Sequence, residues 1–207
     1  MHVALDLYVM PLSRFLSGEF EPLEPKSDTD PKPPESCPAD EASRRARAIR
    51  DALSEATGVT QQWPDEGDVA YSRRMPRRNL HALRSFAAWH EYPPKPRFLF
   101  RQFKLLEDPR DAKPLRKIYQ GANTRYPHLM RHSDDRGFFF PADFKEPEVS
   151  NEAKWWKIGS IPRLRGELDA LEAIFDAETP DAVREGHAVL KEACDIAHQR
   201  SLPIAWT

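Results

Sequence analysis

The chain lacks most of the features that identify common binding sites and membrane segments. Its 207 residues include only two cysteines, Cys37 and Cys194, with no CxxC pair, which argues against a zinc site built on thiolates. The eight glycines form neither GxGxxG nor GxxxxGK, so no phosphate-binding loop is expected. No apolar stretch approaches the ~20 residues of a membrane span, and the first ten residues lack the basic start of a signal peptide. We therefore predict a cytoplasmic protein without metal or cofactor.

Charge is nearly balanced, with 31 basic and 33 acidic side chains and a formal net charge of −2. No overall field favours nucleic acid or an anionic membrane, so neither is expected as a partner. Two arginine clusters stand out: Arg44, Arg45, Arg47 and Arg50 in a helical pattern, and Arg73, Arg74, Arg77 and Arg78 around Met75-Pro76. Nearby acids favour a solvated surface over a nucleic-acid contact for these clusters.

Proline is abundant, and six of the 20 prolines fall within residues 21–41. The same segment carries seven acids and two lysines, with almost no apolar side chains. Such a composition cannot bury a core, which predicts a surface loop or a disordered insertion. A solvated loop is the simpler interpretation, and an acidic docking segment is the alternative. We expect a single domain over residues 1–207 that contains this insertion.

Apolar periodicity predicts strands and helices in mixed order. Residues 3–10 form an almost wholly apolar run, typical of a strand that is covered on both faces, and residues 137–140 and 202–206 also resemble strands. Helical stripes occur near residues 42–53, 80–90, 164–175 and 183–197, with a shorter one at 113–121. This order predicts an α+β fold, with a small mixed or antiparallel sheet packed against about four helices.

Turn and cap residues predict where several elements begin. Asp40, Ser160 and Thr179 stand where helix N-caps are expected. The run Pro-Asp-Glu-Gly-Asp separates two strand-like segments, residues 59–63 and 69–72, which predicts a β-hairpin.

The densest group of polar side chains lies directly before the aromatic strand. It comprises His128, His132, Ser133, Asp134, Asp135 and Arg136. Two histidines four residues apart would share one face of a helix and could hold a metal ion with an aspartate, although the HExxH pattern is absent. Alternatively, these side chains bond to the backbone of a turn and hold the entry of the strand. The sequence favours the structural turn.

An enzyme or a small-ligand site is a further alternative for the same run. Arg136 or Arg163 would then bind an anion, and the helix start at Ser160 would offer it a seat. Ser133 has no GxSxG elbow and no glycine-rich oxyanion loop beside it, so nucleophilic catalysis lacks a supporting motif. The sequence thus identifies no catalytic residue and favours a protein that is not an enzyme.

Two adjacent tryptophans, Trp155 and Trp156, cannot both face one core if they lie in a strand. One of them is therefore a candidate anchor for a partner protein, because tryptophan is enriched at binding hot spots. In the alternative interpretation, one fills the core and the other covers the preceding loop.

A resemblance to a known family extends over most of the chain. His132-Ser133-Asp134, Gly137, an aromatic residue, Pro141 and Asp143-Phe144 resemble a signature HSD-x-x-G-[FY]-x-P-x-D-F of a group of uncharacterised bacterial proteins. Segments 7–18, 115–119, 126–129 and 158–160 are similar to the same group. An HSD-x-D-G element also occurs in small immunity-like proteins that neutralise bacterial toxins, but Arg136 stands here where that element has an acid. The resemblance implies a protein partner, with a cognate toxin as the narrower expectation.

These observations predict a non-catalytic cytosolic bacterial binding protein of immunity type, which neutralises a partner by occluding its surface. An acidic surface would suit a basic partner such as a nuclease toxin, through electrostatic steering. The alternative is a small-ligand-binding protein or an enzyme, centred on the His/Asp cluster in residues 126–136.

Overall fold

A computed structural model of the protein describes residues 4–23, 36–93, 113–132, 137–146, 148–149 and 157–207. Within these ranges the strands are β1 (Ala4–Val9), β2 (Tyr71–Pro76), β3 (Gly137–Phe140), β4 (Glu148–Val149), β5 (Lys157–Ser160) and β6 (Ile204–Trp206). The helices are α1 (Leu12–Ser17), α2 (Ala39–Thr57), α3 (Arg77–Glu91), α4 (Lys113–Tyr119), α5 (Pro127–Met130), α6 (Ile161–Glu172) and α7 (Asp181–Arg200).

The strands form one mixed sheet in the order β2-β1-β6-β3-β5-β4. β3 and β5 are parallel, and every other neighbouring pair is antiparallel. The last strand, β6, joins the two halves of the sheet, because Trp206 lies opposite Leu7 on one side and Gly137 on the other. The sheet and its helices confirm the predicted α+β fold. Four of the helices in the described ranges are long (α2, α3, α6 and α7), and the others are short.

Alternating side chains of β1 contribute to two separate apolar cores. Leu5, Leu7 and Val9 pack with residues of α3, α4, α6 and α7, whereas Tyr8 packs with residues of α1 and α2. All four side chains are almost completely buried. This is the period of two that a strand imposes on its side chains. It confirms the prediction that this strand is covered on both faces.

One charged residue interrupts the apolar side chains of β1. Asp6 is 1% exposed, and it lies opposite Arg74 of β2. Its carboxylate accepts hydrogen bonds from Arg74 Nε at 2.8 Å and Nη2 at 3.3 Å. Such a paired, hydrogen-bonded geometry offsets the cost of removing a carboxylate from water. One arginine of the second cluster therefore serves the fold itself.

The predicted helix starts are right for one helix and wrong for two. Ser160 is the N-cap of α6, where its hydroxyl accepts the backbone N–H of Arg163 at 3.3 Å. α2 begins after Pro38, so Asp40 lies within its first turn. A carboxylate there still interacts favourably with the positive end of the helix dipole. α7 begins after Pro180, and the hydroxyl of Thr179 bonds backwards to Asp176 instead of capping the helix.

The predicted hairpin is wrong. Residues 59–63 form no strand, and β2 pairs with β1 along its whole length. Side chains hold the segment instead: Trp63 packs on Phe140 with ring centroids 4.9 Å apart, and Arg50 pairs with Asp65. β2 pairs with β1 over six residues, and this long-range pairing takes the place of the predicted local hairpin.

Three smaller predictions concern single segments. Residues 24–35 of the predicted proline-rich insertion lie outside the described residues, and residues 39–41 belong to α2. Both cysteines are free, and Cys194 is buried, as expected of a small apolar side chain. In the described part of the chain, no helix is both long and apolar enough to cross a membrane.

Candidate functional site

His128 lies on the short helix α5 and is 0% exposed. Its Nε2 donates to the carbonyl oxygens of Phe144 (3.0 Å) and Lys145 (3.1 Å), and its Nδ1 accepts the backbone N–H of Ser160 at 3.1 Å. Carbonyl groups only accept and a backbone N–H only donates, so these partners require a proton on Nε2 and none on Nδ1, which is a neutral imidazole. Burial lowers the pKa of His128, which favours the same neutral form. His128 therefore fastens α5 to the segment after β3 and to the start of α6.

His132 follows α5 and is also buried. Its Nε2 donates to the carbonyl oxygen of Phe138 at 3.0 Å. The ring stacks on Phe139 with centroids 4.1 Å apart, and it meets Trp206 edge-on at 4.8 Å. A Cβ atom at Gly137 would lie 2.2 Å from the imidazole Cε1, so the ring fits only because β3 begins with glycine. The histidine thus holds the entry of the aromatic strand.

Two buried side chains of ionisable residues, which were not predicted as site residues, bind α5 at its two ends. Glu167 of α6 accepts the backbone N–H groups of His128 (2.9 Å) and Leu129 (2.8 Å). Arg84 of α3 donates to the carbonyl oxygens of Leu129 (2.7 Å) and His132 (2.9 Å). Burial raises the pKa of Glu167 to about 8, against the opposing effect of the two N–H groups.

Helix periodicity contains a signal for both residues. Glu167 comes three residues after Leu164, and Arg84 comes four residues after Leu80, so each lies on an apolar stripe. A charged residue on such a stripe is buried with its helix, and a buried charge needs hydrogen-bonding partners. The pattern therefore predicts that Glu167 and Arg84 make hydrogen bonds inside the protein. In the structure their partners are backbone groups at the two ends of α5.

Ser160 and Arg163, the predicted anion-binding groups, have partners within the chain. Ser160 is buried and caps α6. The guanidinium of Arg163 pairs with the carboxylate of Asp143, with Nη2 and Oδ2 3.0 Å apart and Nε bonded to Oδ1. Asp143 belongs to the segment that carries the family resemblance, so this ion pair joins that segment to α6.

Six of the predicted site residues cannot be compared with the structure. Ser133, Asp134, Asp135, Arg136, Trp155 and Trp156 lie outside the described residues, and what was predicted of them stays a prediction. His128 and His132 bind different carbonyl groups, His128 those of residues after β3 and His132 that of Phe138 within β3. Among the described side chains, no group of three or more histidines, cysteines or acids is placed to hold a metal ion.

A different surface, also missed from the sequence, carries exposed acids. Residues 166–185 contain six exposed acids, the buried Glu167 and one arginine, and they form the second half of α6, a turn and the start of α7. Every exposed position between residues 169 and 181 is Asp, Glu or Ala. We call its four central acids, Glu172, Asp176, Glu178 and Asp181, the acidic tip. The excess of acids in this segment was visible in the sequence. The acids are divided between the polar faces of two helices, however, so the sequence alone did not indicate one acidic surface.

The turn that carries the acidic tip is fixed by its own hydrogen bonds. Thr179 Oγ1 accepts the backbone N–H of Asp176 at 2.9 Å and donates to Asp176 Oδ1 at 3.0 Å, and Oδ1 also accepts the N–H of Glu178 at 3.0 Å. Arg184 donates to the carbonyl oxygens of Asp176 and Thr179, and its guanidinium lies 5.6 Å from the ring centre of Phe175. The backbone beneath these carboxylates is therefore ordered before any partner arrives.

Fold and surface together define an α+β protein that presents carboxylates on a helical hairpin. Residues 3–201 match the model of a family described as "Putative DNA-mimic protein", and the chain belongs to this family. No curated protein and no solved structure matches it.

Family membership indicates a protein-binding role in which a partner's surface is occluded. This agrees with the coarser part of the sequence prediction, a protein that binds another protein. The family gives no support to toxin immunity. It is also partly at odds with the expectation that nucleic acid plays no part, because the partner of a DNA mimic is a protein that normally binds DNA.

Proposed function

We propose that the protein binds a DNA-binding protein and occupies its DNA-binding surface with the carboxylates of the acidic tip. The observation that carries this proposal is the surface of residues 169–181, where every exposed residue is Asp, Glu or Ala. The family supplies the kind of partner, and the acidic tip supplies a surface of matching charge.

The spacing of these acids supports phosphate mimicry. DNA-binding proteins contact phosphates with Lys and Arg, and the charges of one strand are about 3.4 Å apart along the helix axis. Residues three or four apart on an α-helix are separated by about 4.5–6 Å along its axis. Asp181 and Glu185 on α7 have the second spacing, whereas Asp169, three residues before Glu172 on α6, forms an ion pair with Lys191. The exposed acids of the two helices therefore present negative charge on the length scale of a DNA backbone.

The acidic tip is available to a partner without internal rearrangement. Among the described residues, no cation forms an ion pair with Glu172, Glu178 or Asp181. The hydrogen-bonded turn reduces the conformational entropy that binding would cost. Clustered like charge also accelerates encounter with an oppositely charged surface.

Toxin immunity is a narrower form of this proposal. A nuclease toxin is itself a DNA-binding protein, so a cognate toxin would be one member of the proposed class of partners. The resemblance of the segment from His132 to Phe144 to the HSD signature supports that choice. A bacterial cytoplasmic setting, where such partners meet DNA, belongs to the same proposal.

The test neutralises the acidic tip without changing its shape. A variant with Glu172→Gln, Asp176→Asn, Glu178→Gln and Asp181→Asn keeps the Asp176 oxygen that accepts local hydrogen bonds. Proteins captured by the wild-type chain from a bacterial lysate would be identified by mass spectrometry, purified and titrated one at a time. We expect DNA-binding proteins, and a loss of roughly 30-fold or more in affinity for the variant, since an exposed ion pair contributes about 0.5–1 kcal/mol.

A matched control separates position from net charge. Glu19→Gln, Asp51→Asn, Glu55→Gln and Glu66→Gln remove the same charge from exposed positions outside the α6–α7 hairpin. This control should bind like the wild type. Equal losses in both variants, or none in the acidic-tip variant, would contradict the proposal.

A further inference from the structure

A strip of positive charge borders the acidic surface. Arg73 and Arg74 on β2, with Arg77 and Arg78 in the first turn of α3, form what we call the arginine strip. β2 is an edge strand of the sheet in the described ranges, and α3 has no acid in its first turn. Four arginines within six residues therefore lie at one margin of the molecule.

Contacts with α7 place the arginine strip beside the helix that carries Asp181 of the acidic tip. The side chain of Asn79, next to Arg78, donates to Glu185 Oε2 at 3.0 Å. Farther along α7, Glu192 accepts a hydrogen bond from Tyr71 Oη at 3.0 Å and lies 3.4 Å from Arg73 Nη1. Because Glu185 is about one helical turn from Asp181 of the acidic tip, the two charged surfaces adjoin along one helix.

Two arginines of the strip are accessible. The side chain of Arg73 is 56% exposed, and its partner Glu192 is 50% exposed, so their ion pair is weak. Arg78 is exposed as well. Arg74 differs, because it is committed to the buried carboxylate of Asp6. The margin thus presents positive charge to solvent along α7, from the neighbourhood of Glu185 to Glu192, which is about 16 Å from Asp181 along the helix axis.

We propose that the arginine strip is a second contact of the same interface, and that it selects DNA-binding proteins in which an acidic segment adjoins the basic DNA-binding surface. The inference rests on the proposed function. DNA carries no positive groups, so a purely negative mimic would bind any DNA-binding protein of suitable shape. A uniformly basic surface meets like charge at the strip, whereas a surface with an acidic rim gains ion pairs there.

Two synthetic peptides serve as probes. One has eight lysines, and the other has eight lysines, four prolines and four glutamates, where the polyproline spacer of about 12 Å keeps the opposite charges apart. In the variant Arg73→Gln/Arg78→Gln, we expect roughly fivefold weaker binding of the mixed peptide and tighter binding of the lysine peptide. Opposite changes for two ligands are not expected from a variant that only perturbs the fold.

Controls separate failure of this inference from failure of the proposed function. Arg44→Gln/Arg47→Gln removes the same charge from exposed positions on α2 and should change neither affinity at physiological salt, where the screening length is about 8 Å. If the strip variant binds both peptides like the wild type, the inference is wrong and the proposed function stands. If the acidic-tip variant keeps full affinity for the lysine peptide, the proposed function fails first. Binding of duplex DNA that the strip variant abolishes would assign the strip to nucleic acid and overturn the inference.

Discussion

Two opposing effects act on the pKa of the buried carboxyl group of Glu167. Two backbone N–H groups favour its ionised form, while burial between α5 and α6 favours the neutral form. Burial has the larger effect, and it raises the pKa of this carboxyl from 4.5 to about 8. At neutral pH most molecules therefore hold a proton on Glu167 that an unfolded chain has released.

This difference in proton binding predicts that stability falls as the pH rises towards 8. The stabilising contribution of protonated Glu167 is complete below pH about 4.5 and is lost as pH rises through its folded pKa of about 8. The lowered pKa of His128 acts in the opposite sense below its ordinary value of 6.5, so the clear window is pH 6.5 to 8. Urea unfolding in that window should show a falling free energy of unfolding in the wild type. The fall should be absent in Glu167→Gln.

The control for this prediction lies on the same helix. Glu172→Gln makes the same chemical change at an exposed site, so its free energy of unfolding should stay within about 0.5 kcal/mol of the wild type and keep the pH dependence. Glu167→Gln should also lose about 1–3 kcal/mol at pH 6.5, because an amide nitrogen would face one of the two N–H groups. A slope that survives in Glu167→Gln would show that another group causes it.

At the scale of elements, close approach between β3, β5 and His132 depends on glycine. Gly159 of β5 lies opposite Phe139 of β3, and a Cβ atom there would be 2.2 Å from the phenyl Cδ1. Gly166, in the middle of α6, has nothing within 4 Å of the corresponding position. One glycine is thus required by packing, and the other only weakens its helix.

Alanine substitutions at these two glycines should have opposite effects. Gly159→Ala forces the Phe139 ring to move in a filled core, which typically costs about 1–3 kcal/mol. Gly166→Ala should stabilise the protein by about 0.5–1 kcal/mol, because alanine has the higher helix propensity. Thermal and chemical unfolding of both variants measure this. Stabilisation by Gly159→Ala would mean that β3 and β5 are not packed as described.

Element prediction from the sequence succeeded where the cause is local. The apolar stripe and the Ser160 cap define α6, and the alternating contacts of β1 follow from its apolar run. The hairpin prediction failed because β2 pairs with β1, which lies more than sixty residues earlier. Pairing over that distance leaves no pattern in the local sequence. Thr179 failed as a cap because its hydroxyl bonds to Asp176, within the turn that supports the acidic tip.

At the scale of the whole molecule, the net charge conceals a separation of charge. A total of −2 is compatible with six exposed acids and one arginine in residues 166–185 and with four arginines in residues 73–78. Charges act on a partner within a screening length of about 8 Å at physiological salt, so the local balance matters more than the total. This is why composition alone argued against any involvement of nucleic acid. The acidic run was readable, but only folding brings α6 and α7 together as one surface.

The most direct test of the central claim is a competition between this protein and DNA for one partner. A captured, purified partner would be loaded with a fluorescent duplex of about 20 base pairs, and anisotropy would follow the release of the duplex as the chain is added. We predict full displacement, with an affinity that falls steeply as salt rises, and no displacement by the acidic-tip variant at the same concentration. A ternary complex, in which the chain binds while the duplex stays bound, would contradict the account.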